Sequence, residues 1–244
     1  MNLVLDIGNS SAKFASFVNE QMQGEIGVIA HDDIPRIIRE IDPNNLLISS
    51  VGPFKDSIPE VKGTLINLTK DTRLPITINY KTPESLGVDR VAAAVGASVL
   101  LPGKDSLIID AGSCITYDIL ERGSVYQGGI ISPGLRLRAE AMHNLTRDLP
   151  LIDSQQPMES EIPLIGKSTI GSMKSGLING MVLEIDGLID QYLQIYPGIQ
   201  VFLCGGEAKH FEKRLKADIF AVPKLVLVGL NKILEHNIAD ESVR

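Results

Sequence analysis

The feature that most constrains the fold is a short pattern that occurs twice. An apolar run, Leu3 to Leu5, leads into Asp6-Ile7-Gly8, and a second run, Leu107 to Ile109, leads into Asp110-Ala111-Gly112, 104 positions later. An extended stretch follows each glycine, so each copy predicts a strand, a tight turn and a second strand. The repeat indicates two related halves, which we place at residues 1–105 and 106–244.

The segments around these two copies alternate between helical and strand-like patterns, which is typical of an α/β layer architecture. The spacing predicts helices over residues 35–41, 58–69, 89–101, 135–144 and 168–196, and strands over residues 46–51, 76–80 and 201–203. The first glycine turn leads into a strand, whereas a P-loop or a Rossmann fingerprint requires a helix there. Both of those nucleotide-binding motifs are therefore excluded.

Composition argues against several kinds of partner. Of the 244 residues, 23 are basic and 30 acidic, giving a formal net charge of −7. A negative chain does not attract nucleic acid or an anionic membrane surface. The sequence shows neither a signal peptide pattern nor an apolar stretch of about 20 residues. We expect a cytoplasmic protein, binding neither nucleic acid nor membrane, with Cys114 and Cys204 reduced.

The first Asp-x-Gly copy suggests phosphate chemistry. A carboxylate at the end of a buried strand can face a ligand while the amides of the following turn point at phosphate oxygens. Asp6 could then hold hydrated Mg²⁺, and Lys13 could neutralise phosphate charge from across the hairpin. The competing interpretation is an ordinary turn with a solvated lysine. Duplication of the pattern disfavours that alternative.

A second candidate site opens the Ala-rich helix at Gly87-Val88-Asp89-Arg90. Asp89 could take the proton of an attacking hydroxyl, and Arg90 could bind an anionic substrate group through two hydrogen bonds. The alternatives are a first-turn acid that complements the helix dipole and an arginine in a structural ion pair. The four histidines are scattered, without the spacing typical of zinc ligands.

Three segments resemble the signature motifs of type III pantothenate kinases: Asp6–Lys13 (DIGNSSAK), Gly87–Arg90 (GVDR) and Asp110–Thr116 (DAGSCIT). Their order and spacing fit that family, as do the glycine pairs Gly128-Gly129 and Gly205-Gly206, so the resemblance covers nearly the whole chain. It implies an α/β fold of the acetate and sugar kinase, heat-shock ATPase and actin superfamily. In that superfamily two ribonuclease-H-like halves, each a mixed sheet with flanking helices, close over ATP.

The resemblance also implies ATP-dependent phosphorylation of pantothenate to 4'-phosphopantothenate, the first step of coenzyme A biosynthesis. The enzyme would be a homodimer that uses Mg²⁺ and a monovalent cation, K⁺ or NH₄⁺. ATP and its phosphates would contact Asp6, Gly8, Asn9, Ser10, Ser11, Lys13 and Ser113. Pantothenate would contact Tyr80, Gly87, Val88, Asp89, Arg90 and Thr169. Asp89 would be the catalytic base, Asp110 would bind the monovalent cation, and Asp6 would hold Mg²⁺ through water.

The chain departs from the family pattern at three positions. The family usually has Thr where this chain has Ser10 and Ser113, and Ala where it has Cys114. Both serines keep a hydroxyl, and a buried cysteine behaves as a small hydrophobic residue. Two other functions remain open on the same fold: a kinase of another small hydroxylated acid or polyol, and a non-catalytic nucleotide-binding regulatory protein. The short chain without large insertions disfavours the regulatory protein.

Overall fold

The computed structural model describes residues 1–8, 11–50, 58–153, 156, 158–159 and 161–241. The strands are β1 (Asn2–Ile7), β2 (Ala12–Val18), β3 (Gln21–Ile29), β4 (Asn45–Ser50), β5 (Leu65–Asn67), β6 (Thr77–Ile78), β7 (Ser106–Ala111), β8 (Cys114–Glu121), β9 (Val125–Pro133), β10 (Gln200–Cys204) and β11 (Phe220–Ala221). The helices are α1 (Ile34–Ile41), α2 (Val88–Leu100), α3 (Leu135–Asn144), α4 (Thr169–Ile195) and α5 (Leu225–Glu241).

The chain forms two compact units. The first comprises the described parts of Met1–Lys104, Leu120–Gly128 and Lys224–Arg244, and the second those of Asp105–Ile119 and Gly129–Pro223. The chain therefore returns to the first unit twice, once at the tip of the β8–β9 hairpin and once at α5. The predicted halves, 1–105 and 106–244, are each continuous in sequence, so they place both of these returning segments in the second half.

The first unit is built on a five-stranded sheet with the order β3-β2-β1-β4-β5. Its central strand, β1, pairs antiparallel with β2 and parallel with β4. The side chains of Leu3, Val4 and Leu5 are fully buried, which explains why the strand is an unbroken apolar run rather than an alternating one. A strand covered on both faces fixes the position of the residue near its end, Asp6.

Helices α2 and α5 pack together in the first unit through two glycines. A Cβ atom added at Gly229 would lie 1.8 Å from the carbonyl oxygen of Ala92, and one added at Gly96 would lie 2.2 Å from that of Leu225. Neither position has room for a side chain, because backbone faces backbone at both contacts. The apolar side of α5 buries Leu230 and other aliphatic residues. This contact attaches the last helix to the Ala-rich α2.

The second unit contains the strand order β11-β10-β7-β8-β9, in which β10 lies parallel to both β7 and β11. Buried residues of β7, β8, β10 and α4 form one hydrophobic cluster. Among the described helices, none combines the length and the hydropathy that crossing a membrane requires. At the hairpin tip, which belongs to the first unit, β9 begins beside β6 in parallel register.

The structure confirms most of the predicted elements and corrects one. Helices α3 and α4 occupy the predicted stretches to within one residue. The helix expected over residues 58–69 is wrong, because that segment contains the strand β5, which pairs parallel with β4. Gly63 interrupts the helical pattern, and the β-branched residues Thr64 and Ile66 favour extended backbone.

The glycine contact between α2 and α5 predicts that Gly229→Ala lowers the free energy of unfolding. We expect a loss of about 3 kcal/mol, the upper end of the usual range for overpacking, since a backbone carbonyl cannot rotate away. Gly187→Ala in α4 is the matched control, because an added Cβ there meets nothing within 4 Å. The control should gain up to about 1 kcal/mol from helix propensity. Equal effects of the two substitutions in urea unfolding would contradict the close contact.

Candidate active site

Four polar side chains of the first unit converge near the end of β1. Asp6 stands opposite Lys13 of β2 on one side and opposite Ser49 of β4 on the other. The Ser49 hydroxyl donates a hydrogen bond to the Asp6 carboxylate, and Asp89, in the first turn of α2, acts on the same carboxylate through its charge. The first and second signature segments of the sequence therefore meet at one place.

Burial, and after it the negative charge of Asp89, raise the pKa of Asp6, while the Lys13 charge and the Ser49 hydrogen bond lower it; the net result is a pKa of about 6. A carboxylate in this setting favours a cation close by. Carboxylate oxygens are the hard ligands that Mg²⁺ prefers, and kinase sites use only one or two of them together with phosphates and waters. Over the described residues no cluster of three or more His, Cys, Asp or Glu could form a metal cage. Asp6 thus fits a water-mediated Mg²⁺ site of the kinase type.

The turn after β1 is closed by a hydrogen bond from the Gly8 amide to the Ser11 carbonyl, 3.1 Å long. The predicted phosphate contacts Asn9 and Ser10 lie outside the described residues. His31, to which the sequence assigned no role, places its Nε2 atom 3.0 Å from the carbonyl oxygen of Gly8. Its ring therefore supports the same turn from a segment 23 residues later in the chain.

Asp89 folds back over the residue that precedes α2. Its Oδ1 atom accepts a hydrogen bond of 2.9 Å from the Arg90 amide. A Cβ atom at Gly87 would lie 2.5 Å from that same oxygen, so a side chain there would displace the Asp89 carboxylate from this position. Val88 is the first residue of the helix. The carboxylate is therefore held both at the helix start and within electrostatic range of Asp6.

Arg90 lies on an aromatic surface that the sequence pattern did not predict. The side chain is only 7% exposed, and its guanidinium carbon is 6.0 Å from the centroid of the Tyr126 ring. The rings of Tyr126 and Tyr80 meet edge to face at 6.1 Å. Gly128, at φ +97°, leaves the space for Tyr80, whose ring would lie 3.2 Å from a Cβ there. Arg90 and Tyr80, two of the predicted pantothenate contacts, thus both pack against the buried ring of Tyr126.

In the second unit, Asp110 occupies the position near the end of β7 that corresponds to Asp6 in β1. The Gly112 amide donates to the Cys114 carbonyl at 3.0 Å, which closes the second Asp-x-Gly turn. Gly205, at φ +95°, approaches so closely that a Cβ atom would lie 2.4 Å from Oδ1 of Asp110. Ser113 and the Cys114 thiol, both in this turn, are exposed. The predicted cation ligand therefore lies against a glycine turn.

Thr169, the remaining predicted substrate contact, is exposed at the first position of α4. Ser168 rather than Thr169 caps this helix, because its Oγ atom accepts a hydrogen bond of 3.1 Å from the Gly171 amide. The Thr169 side chain is therefore not required as a cap within its own unit.

Comparison with known proteins gives one consistent family. A family model described as type III pantothenate kinase matches residues 2–191. A Cytophaga hutchinsonii protein named type III pantothenate kinase is 43% identical over 239 residues, which cover 98% of this chain and all of that protein. A Phocaeicola vulgatus protein of the same name is 39% identical over 243 residues, covering 97% of this chain and 99% of that protein.

Solved structures with lower identity share the fold. A Campylobacter jejuni protein provisionally named as a Baf family transcriptional activator aligns with a TM-score of 0.62 at 21% identity, covering 97% of this chain and 99% of that one. A Sinorhizobium meliloti protein provisionally named 2-dehydro-3-deoxygalactonokinase aligns with a TM-score of 0.56 at 13% identity, covering 97% and 96%. At such identities the likeness concerns the fold alone, and it confirms the expected α/β fold.

The setting of Asp6 predicts that Asp6→Asn stabilises the ligand-free protein at neutral pH. A pKa raised from 3.8 to about 6 means that the wild-type protein loses stability as pH rises through this interval, by about 3 kcal/mol in total. Asparagine carries no such penalty. Urea unfolding without Mg²⁺ or nucleotide should therefore show a stability gap between the two proteins that opens between pH 3.8 and about 6 and stays constant above.

Asp71→Asn is the control, since it removes an exposed carboxylate of the same unit. The raised pKa of Asp6 would be contradicted if the stability difference between Asp6→Asn and the wild type narrowed as pH rises. It would also be contradicted if Asp71→Asn showed the same stability difference.

Proposed function

Because the chain belongs to the type III pantothenate kinase family, we propose that the residues gathered at the end of β1 and the start of α2 carry the family's reaction. The enzyme uses ATP to phosphorylate pantothenate in coenzyme A biosynthesis. The observation that carries the residue assignment is that the charge of Asp89 acts on the Asp6 carboxylate, although these two signature residues are 83 positions apart. A role as a helix-dipole acid alone does not account for that interaction.

Asp89 is the base for the pantothenate hydroxyl in this proposal. One of its oxygens is held by the Arg90 amide, and we assign the other oxygen to the proton of the hydroxyl. As the hydroxyl oxygen forms its bond to the γ-phosphorus, its proton passes to Asp89 and the bond to ADP breaks. Both Asp6 and Asp89 are partly buried, and the hydrogen bonds from Ser49 and from the Arg90 amide hold them in place before the reaction, so little reorganisation is needed.

The phosphate side consists of Asp6, Lys13 and the turn between them. Lys13 directs its positive charge to the same place as the Asp6 carboxylate, where it would balance phosphate charge. The Ser11 amide, with the neighbouring Asn9 and Ser10, would cradle the phosphates, while the Gly8 amide closes the turn. Asp6 would hold Mg²⁺ through water, and this ion supplies neutralisation of charge on the transferred group.

Arg90 is the proposed anchor for the pantothenate carboxylate. A guanidinium binds a carboxylate through two parallel hydrogen bonds, and the Tyr126 ring beneath Arg90 limits the directions that the guanidinium can take. Tyr80, Gly87 and Val88 would line the rest of this site. The arrangement suits a small acid with one carboxylate and one hydroxyl.

For the second unit we propose that Ser113 contacts ATP and that Asp110 binds the monovalent cation, K⁺ or NH₄⁺. The support is the repeated Asp-x-Gly turn and the position of the Asp110 carboxylate beside Gly205. We also place the protein in the cytoplasm, where its free thiols, Cys114 and Cys204, stay reduced.

A homodimer is the proposed active assembly, because α4 presents an exposed face with both small and apolar residues. Gly176 and Gly180 lie on this face, and the side chain of Leu183 is 61% exposed. Beside them, Leu164 and Ile165 are each 77% exposed. Exposed apolar surface of this kind marks an interaction site, and glycines allow two helices to approach closely. Thr169 begins the same helix, so a partner's Thr169 would reach pantothenate bound at Arg90.

We expect Asp89→Asn to lower kcat by roughly 10²- to 10⁴-fold, the usual contribution of a general base. The folded structure and ATP binding should persist, since asparagine keeps the acceptor for the Arg90 amide. Coupled ADP release at saturating ATP and pantothenate measures kcat, and calorimetry measures ATP binding. Glu84→Gln, an exposed acid just before α2, is the control. Near-normal turnover in Asp89→Asn would contradict the role as a base and would show that Asp89 only complements the dipole of α2.

The shared site predicts complementation between two inactive variants. In a mixture of Asp89→Asn and Thr169→Trp chains, each mixed dimer assembles one intact site, so about a quarter of wild-type activity should return after random exchange. Unmixed variants treated identically are the controls. Full activity of a monomer on a sizing column, or no recovery despite demonstrated exchange of subunits, would overturn the shared site.

A further inference from the structure

The first turn of α3 is capped by a side chain from far along the sequence. The helix follows Gly134, which has no side chain to offer its unpaired amides. Glu207 fills that role: its Oε2 atom accepts from the Leu135 amide at 2.8 Å and its Oε1 atom from the Arg136 amide at 3.1 Å. One carboxylate thus satisfies two amides at the positive end of the helix dipole.

The backbone of Glu207 is bound at the same time to the end of β7. Its amide donates to the carbonyl oxygen of Ala111 at 2.8 Å. Gly205 makes this possible, because a Cβ atom there would lie 2.3 Å from the same oxygen. The turn Gly205–Glu207 is therefore fixed against the residue that follows Asp110.

A fourth hydrogen bond joins the residue before α3 to the other end of the Asp110 turn. The Gly134 amide donates to the Ser113 carbonyl at 3.0 Å, and a Cβ atom at Gly134 would lie 2.1 Å from the Gly112 carbonyl oxygen. The contacts form a closed ring that runs from Ala111 to Ser113, across to Gly134 and Leu135, and back through Glu207. All of these groups belong to the second unit.

We propose that Glu207 is a positioning residue for the turn Asp110–Ser113, and that it acts through this ring rather than by touching ATP. The proposal rests on the proposed function, which assigns Asp110 to the monovalent cation and Ser113 to ATP. Two carboxylate oxygens are required, since each accepts from a different amide. Without them the start of α3 separates from the Glu207 turn, and Ser113 loses the support of Gly134.

The test compares Glu207→Ala, Glu207→Gln and Asp110→Ala, with the exposed Glu212→Ala as control. Loss of hydrogen bonds to a charged group costs roughly a factor of ten or more, so Glu207→Ala should raise KM for ATP about tenfold. KM for pantothenate should stay unchanged. Glutamine retains one acceptor oxygen and should give an intermediate KM for ATP. Amide hydrogen exchange at Gly134, Leu135 and Arg136, measured without any ligand, should accelerate in the same order.

The positioning role also predicts coupling to Asp110. Asp110→Ala should weaken ATP use and its response to K⁺ or NH₄⁺ relative to Na⁺ at equal ionic strength. The double variant Asp110→Ala with Glu207→Ala should then show less than the sum of the two single effects.

The possible outcomes separate the two hypotheses. If Asp110→Ala alters ATP use while both Glu207 variants leave KM for ATP unchanged, Glu207 is a helix cap only and the inference is overturned. Additive effects overturn it as well. If Asp110→Ala itself leaves ATP use and the cation response unchanged, the proposed role of this turn fails instead. If Glu207→Ala does not fold, the KM for ATP and the amide exchange of Glu207→Gln distinguish the positioning role from a helix cap by the same criteria.

Discussion

The first unit depends on a carboxylate held near the end of a buried strand. Asp6 can occupy this position only because β1 is paired on both sides, which brings Lys13 and Ser49 to the two neighbouring positions. The lysine charge and the serine hydrogen bond offset part of the unfavourable burial, but the charge of Asp89 adds to it. The arrangement favours positive charge at the place where we propose that a phosphate chain and its cation bind. The Asp6 carboxylate therefore affects both the stability of the first unit and the proposed binding of a cation.

The proposed substrate side of the first unit is completed by residues that come from later in the chain. Tyr126 is brought beneath Arg90 by the tip of the β8–β9 hairpin, whose strand runs parallel to β6. The two glycines in this region have steric roles, since Gly87 makes room for the Asp89 carboxylate and Gly128 for the Tyr80 ring. In the proposed site, the GVDR segment would supply the reactive groups, while residues from distant segments hold them in their orientation.

Local patterns in the sequence predicted what depends on local interactions. The two Asp-x-Gly turns, the bounds of α3 and the opposition of Asp6 to Lys13 follow from hydrophobic periodicity and hairpin geometry. The supports provided by His31, Tyr126 and Glu207 were not predicted, because each depends on a contact between distant segments. One signal was available: α3 begins after a glycine with no capping side chain, so its amides needed an acceptor from elsewhere. The strand β5 was missed for a similar reason, since pairing with β4 overrides a weak helical pattern.

The packing of α5 on α2 affects how the chain folds during synthesis. The second unit, residues 105–119 and 129–223, is complete in sequence before α5 has been translated, whereas α2 lacks its extensive contact with α5 until then. The second unit can therefore fold first, although it follows the start of the chain. The helix that carries Asp89 gains this packing only after α5 has been translated, so the proposed site in the first unit lacks this support until then.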